Sequence, residues 1–349
     1  MNATLARSSS DSVSHARRQH AFVESPFQFL SGLEAVAPHA SAVLHWRADA
    51  KGMRAFVDAF DPAWLPAGVS LSAGIPEALH GAAPDCEPEE ILVGDLASGR
   101  IQRMLSDAYL TRYLPPVTVI DDGLSTPAVI RQLMTTQTPI HRPRHLPTPL
   151  RLPLAAYVSS RLRGLARKGR LTWFTALLDD PDLQGRVEAS GIRVRTHRFE
   201  HLHTLDACER PDTPGVVIGS AMAADGLIDP EAYTAWVRGV ARSQPVTYYP
   251  HRRESADFLD TLARLPGVRV APLGLPLELR LSTLPDGVRV HSLPSTAAFS
   301  LSLLNPGSRV AVTAIPTAWW RPRASAAFRR EIDAFAAGFR RFSHVEGTP

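Results

Sequence analysis

Cysteine is nearly absent from this sequence: Cys86 and Cys208 are the only two in 349 residues. Two cysteines make no disulfide framework, and neither has metal-ligand spacing, so a reducing compartment is expected. Long hydrophobic runs are also missing. No stretch reaches the ~18 apolar residues that a membrane-spanning helix needs. Residues 1–20 are rich in Ser, Arg and His and lack an apolar segment. They are expected to be a disordered lead-in rather than a secretory signal. Charge of one sign does not dominate either: 38 basic against 34 acidic residues give a net charge of +4. Aromatics are 7% and are not interleaved with basic residues as in single-strand binders. A nucleic-acid partner is therefore not expected. No internal repeat is visible.

What remains is an alternation of short apolar runs with amphipathic segments, which argues for an α/β fold. The first unit is a strand at residues 21–23, a turn, and a helix over 27–36, with Ser25 as N-cap and Pro26 in the first helical position. Further strands are expected at 41–46, 90–94 and 117–120, and helices at 100–110 and 127–135. Residues 136–153 are dense in Pro, His and Arg and read as a surface loop. A basic stretch follows, with Arg161, Arg163, Arg167, Lys168 and Arg170. A solvated helix face is the default reading, and contact with anionic lipid or an acidic glycan the alternative. Residues 206–214 are polar with two prolines and mark a domain boundary. The alternation then restarts, with strands at 216–218, 245–249, 268–271, 288–292 and 310–314. Helices are expected at 229–242, 255–265 and 325–342. Two α/β domains imply a cleft, with ligands beyond the carboxyl ends of the strands.

Three strand-ending loops could carry chemistry there. Asp121-Asp122-Gly123 follows an apolar run. Adjacent carboxylates repel, which raises one pKa and yields a general base, while Gly123 permits a tight turn. The plain alternative is a polar turn. Pro250-His251-Arg252-Arg253-Glu254 has an anion-binding composition, against the alternative of a charged surface turn. Ser295-Thr296 offers hydroxyls at a helix start, where phosphate binds well. There the alternative is an ordinary N-cap.

Taken in order, these loops resemble the motifs of bacterial sialyltransferases, above all the polysialyltransferase and lipooligosaccharide sialyltransferase group. That group has an acidic-acidic-Gly motif, a His-Pro motif and a Ser-Ser/Thr motif. Glu24-Ser25-Pro26-Phe27-Gln28, Val217-Ile218-Gly219-Ser220 and Pro276-Leu277-Glu278 add to the likeness, which runs from about residue 21 to about 305. Three positions depart from it. Arg252 stands in place of a proline, Thr296 in place of a second serine, and Asp121 where many relatives have Glu.

The resemblance implies a GT-B-like fold, two Rossmann-like domains facing across a deep cleft: residues 21–208 on the acceptor side and 212–349 holding the donor. It implies inverting, metal-independent transfer of sialic acid from CMP-sialic acid to a glycan hydroxyl, with no cofactor. Asp122 would be the general base, with Asp121 supporting its loop and perturbing it. His251, Ser295 and Thr296 would take the donor phosphate and Glu278 the ribose. Gly219, Ser220, Pro250 and Arg252 would stand on the donor side, and Ser25, Pro26, Gln28 and Gly123 on the acceptor side. The expected location is the cytoplasm, with peripheral contact on the inner face of the cell membrane as an option the basic stretches leave open. Two rivals remain: a transferase for another nonulosonic acid or nucleotide sugar, and a catalytically silent nucleotide- or glycan-binding protein. Asp180-Pro181-Asp182 spells a metal motif but reads as a helix start. His141, His145, His197, His201 and His203 show no ligand pattern and read as surface or acceptor-side residues. Trp319-Trp320 reads as core or interdomain packing.

Overall fold

The computed structural model describes residues 18–38, 41–77, 88–107, 114–135, 138–142, 149–178 and 181–345, with side chains of 340–345 excepted. Cys86, His145, Asp180 and most of the lead-in lie outside the described residues.

Two wholly parallel sheets are formed. The first contains β1 (Gln19–Val23), β2 (Ala42–Trp46), β3 (Val69–Ala73), β4 (Glu90–Val93), β5 (Val117–Ile120), β6 (Leu171–Thr175) and β7 (Arg193–Thr196). Their order is β3-β2-β1-β4-β5-β6-β7. The intervening helices are α1 (Pro26–Val36), α2 (Met53–Ala59), α3 (Gly99–Asp107), α4 (Ser125–Met134), α5 (Leu152–Arg167) and α6 (Pro181–Ala189). The second sheet has β8 (Gly215–Ile218), β9 (Val246–Tyr249), β10 (Val268–Val270), β11 (Arg289–Ser292) and β12 (Arg309–Val312), in the order β10-β9-β8-β11-β12. Its helices are α7 (Ala221–Ala224), α8 (Pro230–Ser243), α9 (Ala256–Ala263), α10 (Leu277–Arg280), α11 (Thr296–Leu304) and α12 (Ala326–Val345).

The central strands explain their own placement. Every residue of β5 (VTVI), β8 (GVVI) and β9 (VTYY) is buried, as parallel strands covered on both faces require. Helix starts follow capping chemistry. The side chains of Ser25, Asp229, Ser255 and Ser295 each accept from a backbone N–H in the first turn of α1, α8, α9 and α11.

In each sheet the strand order reverses once, between β1 and β4 and between β8 and β11. Such a reversal opens a crevice at the carboxyl ends, where ligands bind in doubly wound sheets. The chain crosses from one sheet to the other between β7 and β8. Apolar side chains of both halves meet in one cluster, which holds Phe174 of β6, Phe199 and Leu202 together with Leu301 and Leu304 of α11.

Some elements differ from expectation. α5 begins at Leu152, so the proline-rich loop stops short of 153. Its Arg163 is not a solvated cation: it donates to the carbonyls of Gln132, Leu133 and Thr138. Trp319 and Trp320 pack against the second-sheet cluster, as the core reading has it. Among the described residues no helix is long and apolar enough to cross a membrane.

Candidate active site

A cavity of about 730 Å³ lies between the two sheets, and loops from both reversal points line it. From the first half come Glu24, Ser25 and Gln28 after β1, Arg47 to Lys51 after β2, Gly94 to Leu96 after β4, and Asp122 after β5. The second half contributes Gly219 and Ser220 after β8, His251 to Arg253 after β9, and Pro294 to Thr296 after β11.

The adjacent acids of the β5 loop point apart. Asp121 is fully buried and turned away from the cavity. Its carboxylate accepts from Thr175 Oγ1 at 3.0 Å, Ala176 N at 2.7 Å and Trp173 Nε1 at 3.4 Å. It ties the end of β5 to the end of β6, and burial pushes it up to about 7. The expected support of the loop is thus present, but Asp121 offers no group to a ligand in the cavity. Asp122 is half-buried and faces the cavity. Its Oδ1 accepts from Gln28 Nε2 at 2.5 Å and its Oδ2 from Ser125 Oγ at 3.2 Å. Burial raises its pKa most, and the Asp95 carboxylate raises it further. The perturbing charge expected on Asp121 is therefore carried by Asp95. Gln28, expected on the acceptor side, orients Asp122. Its Oε1 accepts from Glu24 N at 2.7 Å, which leaves the amide N–H groups for the acid.

In the second half, His251 Nδ1 accepts from Arg253 N at 3.2 Å. The proton of the neutral ring then sits on Nε2, the nitrogen without an internal bond. Burial, with Arg253 and Arg252 adding repulsion, lowers the ring to about 4. His251 is thus a neutral Nε2–H donor near pH 7. Behind it, Glu254 is buried and accepts from Ser220 N (3.2 Å), Tyr248 Oη (2.5 Å) and His251 N (2.8 Å). It binds the β8 and β9 loops to one another. Gly219 is what lets them approach: a Cβ there would stand 2.6 Å from His251 N and 2.7 Å from Glu254 Oε2.

The hydroxyl pair divides. Ser295 is the N-cap of α11, accepting from Ala298 N at 3.1 Å, with Ser292 Oγ also at 3.1 Å. Ser292 gives its own hydrogen to Leu293 O, so Ser295 donates to Ser292. The N-cap reading accounts for Ser295, although it lines the cavity. Thr296 reaches across it. Its Oγ1 accepts from Leu124 N at 3.2 Å and keeps its hydrogen for another partner. Gly123, at φ +65°, lies under this hydroxyl, and a Cβ would come within 2.5 Å of it.

Residues not anticipated complete the wall. Arg142 pairs with the nearly buried Asp95 at 2.6 Å, and Arg47 with Glu24 at 3.2 Å and Asp49 at 3.0 Å. Both basic side chains reach back from other loops. Nothing in local sequence marks such pairs, although Glu24 and Asp95 each stand just beyond an apolar strand.

Glu278 requires correction. It does not line the cavity but is buried on α10, turned toward Ser300 of α11. A ribose cannot reach it there. Pro26 and Pro250 shape their turns without lining the cavity. His197 is also no surface residue: it is buried and stacked on Phe174, ring centroids 4.4 Å apart. Its ligand atom lies within 4.8 Å of those of Glu34 and Glu200. However, Glu34 already accepts from His201 N and Leu202 N, and His197 Nδ1 from Phe199 N. These bonds fold the segment into a turn against α1.

No family model matches the chain, and no curated protein matches it in sequence. Among solved structures, Phytolacca americana UGT2 complexed with UDP-2-fluoro-glucose and pterostilbene aligns with a TM-score of 0.51 at 12% identity. The alignment covers 95% of this chain and 93% of that one. UDP-glucose:anthocyanidin 3-O-glucosyltransferase in complex with UDP aligns at 0.47 and 10%, covering 94% of each. The E. coli heptosyltransferase WaaC aligns at 0.40 and 12%, over 95% of this chain and 100% of that chain. At such identity the likeness is one of fold. Two Rossmann-like units with their carboxyl ends facing form a GT-B-like architecture.

Proposed function

We propose that the chain is an inverting glycosyltransferase that moves sialic acid from CMP-sialic acid onto a glycan hydroxyl. One observation carries this reading. A cavity carboxylate of raised pKa, Asp122, stands opposite a neutral imidazole N–H and a threonine hydroxyl at the strand ends of the other half.

Asp122 takes the proton of the acceptor hydroxyl as its oxygen attacks the anomeric carbon. The bond from that carbon to the phosphate oxygen breaks, and CMP leaves with the electron pair. His251 Nε2–H and Thr296 Oγ–H hydrogen-bond the phosphate as its charge grows. Charge-assisted bonds of this kind contribute about 1.5–3 kcal/mol each. One displacement inverts the anomeric centre. Gln28 and Ser125 hold Asp122 in place, and Glu254 holds the imidazole. The scheme uses no metal and no cofactor.

A second reading is a transferase for another nucleotide sugar. The Phytolacca americana UGT2 structure, with UDP-2-fluoro-glucose, favours it, because the same fold serves a nucleoside diphosphate sugar there.

The test is CMP release from CMP-sialic acid in the presence of EDTA, by the wild type and by Asp122→Ala and His251→Ala. Release that both substitutions abolish supports the reading. No release, together with no CMP binding by calorimetry, overturns the donor assignment, and a panel of UDP, ADP and TDP sugars then tests the second reading.

A further inference from the structure

Most cations on the cavity wall are already matched. Arg47 pairs with Glu24 and Asp49, Arg142 with Asp95, and Arg253 with Asp225 at 2.9 Å. Arg252 and Lys51 differ: among the described residues neither has a carboxylate within ion-pair distance. They come from opposite halves of the molecule yet meet, since Arg252 Nη1 donates to Lys51 O at 3.2 Å. The Arg252 side chain lies over Gly52, where a Cβ would stand 3.7 Å from Nη1. One guanidinium nitrogen is thus anchored on the Lys51 backbone, and both residues line the cavity. The Arg252 charge acts on His251 and on Asp122, and with Lys51 on the same wall it makes this part of the cavity attract anions. A guanidinium fork fits a planar carboxylate or a phosphate edge.

We propose that Arg252 and Lys51 form a second anion subsite, which takes an anionic group carried by the donor in addition to the phosphate at His251 and Thr296. This rests on the reading of the cleft as a nucleotide-sugar site, and it makes the pair a determinant of donor specificity. Two donor groups share the chemistry: the carboxylate of an acidic sugar on a nucleoside monophosphate, and the second phosphate of a nucleoside diphosphate. Neutral sugars on a monophosphate would leave the pair unmatched. Arg252 then has a task in this chain that a proline at the same position could not perform. The contact with Lys51 also means that the subsite is complete only when the two halves are together.

Calorimetry on the full chain tests this with CMP, a non-transferable fluorinated analogue of CMP-sialic acid, UMP and UDP. The proteins are the wild type, Arg252→Ala, Arg252→Lys and Lys51→Ala. Arg252 is exposed, so its substitution leaves the core intact. The expected result is that Arg252→Ala weakens the analogue about tenfold or more, the loss of one charge-assisted contact. CMP affinity stays within about twofold, and Arg252→Lys recovers part of the loss. If the wild type instead prefers UDP over UMP and Arg252→Ala removes that preference, the subsite stands with a second phosphate as its ligand. An equal loss for CMP and the analogue would mean that Arg252 merely holds the halves together, and would overturn the subsite. So would analogue binding that ignores Arg252. Failure of the wild type to bind any of the four nucleotides overturns the donor reading, and the subsite with it.

Discussion

Replacing Glu254 with glutamine tests how the β8 and β9 loops are held. Three donors converge on this buried carboxylate: Ser220 N, Tyr248 Oη and His251 N. Glutamine keeps one acceptor oxygen and turns an amide N–H₂ on a donor. At least one buried N–H then loses its partner, a cost of about 1–3 kcal/mol. The pH dependence sharpens the test. The three donors favour the charged form and burial the neutral one, and burial wins, holding the group at about 7 instead of 4.5. The folded chain therefore binds this proton more tightly than the unfolded chain. The stability that Glu254 contributes is fully present below pH 4.5 and is lost as pH rises through 7. Taken whole, the shift corresponds to about 3 kcal/mol. Glutamine does not titrate, and the histidines are common to both proteins. The stability gap between wild type and Glu254→Gln should thus be widest near pH 5 and narrow toward pH 8. Guanidinium denaturation at several pH values reads it directly. A gap that widens with pH would refute the reasoning, because it would mean that the three donors outweigh burial. CMP affinity of the variant should fall at every pH, since His251 N loses its anchor.

Other expectations follow from the same geometry. Asp122→Asn should reduce turnover about 10²–10⁴-fold while leaving CMP affinity nearly unchanged, measured by steady-state kinetics and calorimetry. Asp121→Asn should do the reverse: turnover is retained, and stability falls by about 1–3 kcal/mol on denaturation, because the β5–β6 tie is weakened. Burial and Asp95 raise the Asp122 pKa, and the base acts ionised. The acid limb of the pH–rate profile should then lie above the ordinary carboxylate range and move to lower pH in Asp95→Asn. Gly123→Ala should cost about 1–3 kcal/mol through its contact with Thr296. Adding Thr296→Ala should return the steric part and leave about 1–2 kcal/mol from the positive φ.

The alternation of apolar runs carried most of the architecture. β1, β5, β8 and β9 are short, fully buried and bounded by turn residues, and the caps Ser25, Asp229 and Ser255 mark where helices begin. β3 escaped because it is a short edge strand, Val-Ser-Leu-Ser-Ala, with no fully buried residue. β6 escaped because the Lys168-Gly169-Arg170 turn before it reads as the tail of the basic stretch. Within the cavity, Asp122, His251 and Thr296 were legible because each stands just beyond the carboxyl end of a strand. The split between Asp121 and Asp122 was not, since it depends on Thr175 and Ala176 far along the chain. Glu278 failed for a related reason: a short Pro-x-Glu segment carries no sign of whether its acid faces a cleft or a neighbouring helix. Arg142 and Asp95 are joined only by the fold.

The contact of Thr296 with Gly123 and Leu124 bears on how Asp122 and His251 keep their spacing. Two units joined only by a linker could settle at many separations, and the gap between Asp122 and His251 would then vary. Here one hydroxyl of the second half sits over a glycine of the first, with Leu124 N donating to it at 3.2 Å. Together with the apolar cluster shared by both halves and the Arg252 contact with Lys51, that touch point sets the spacing across the cleft.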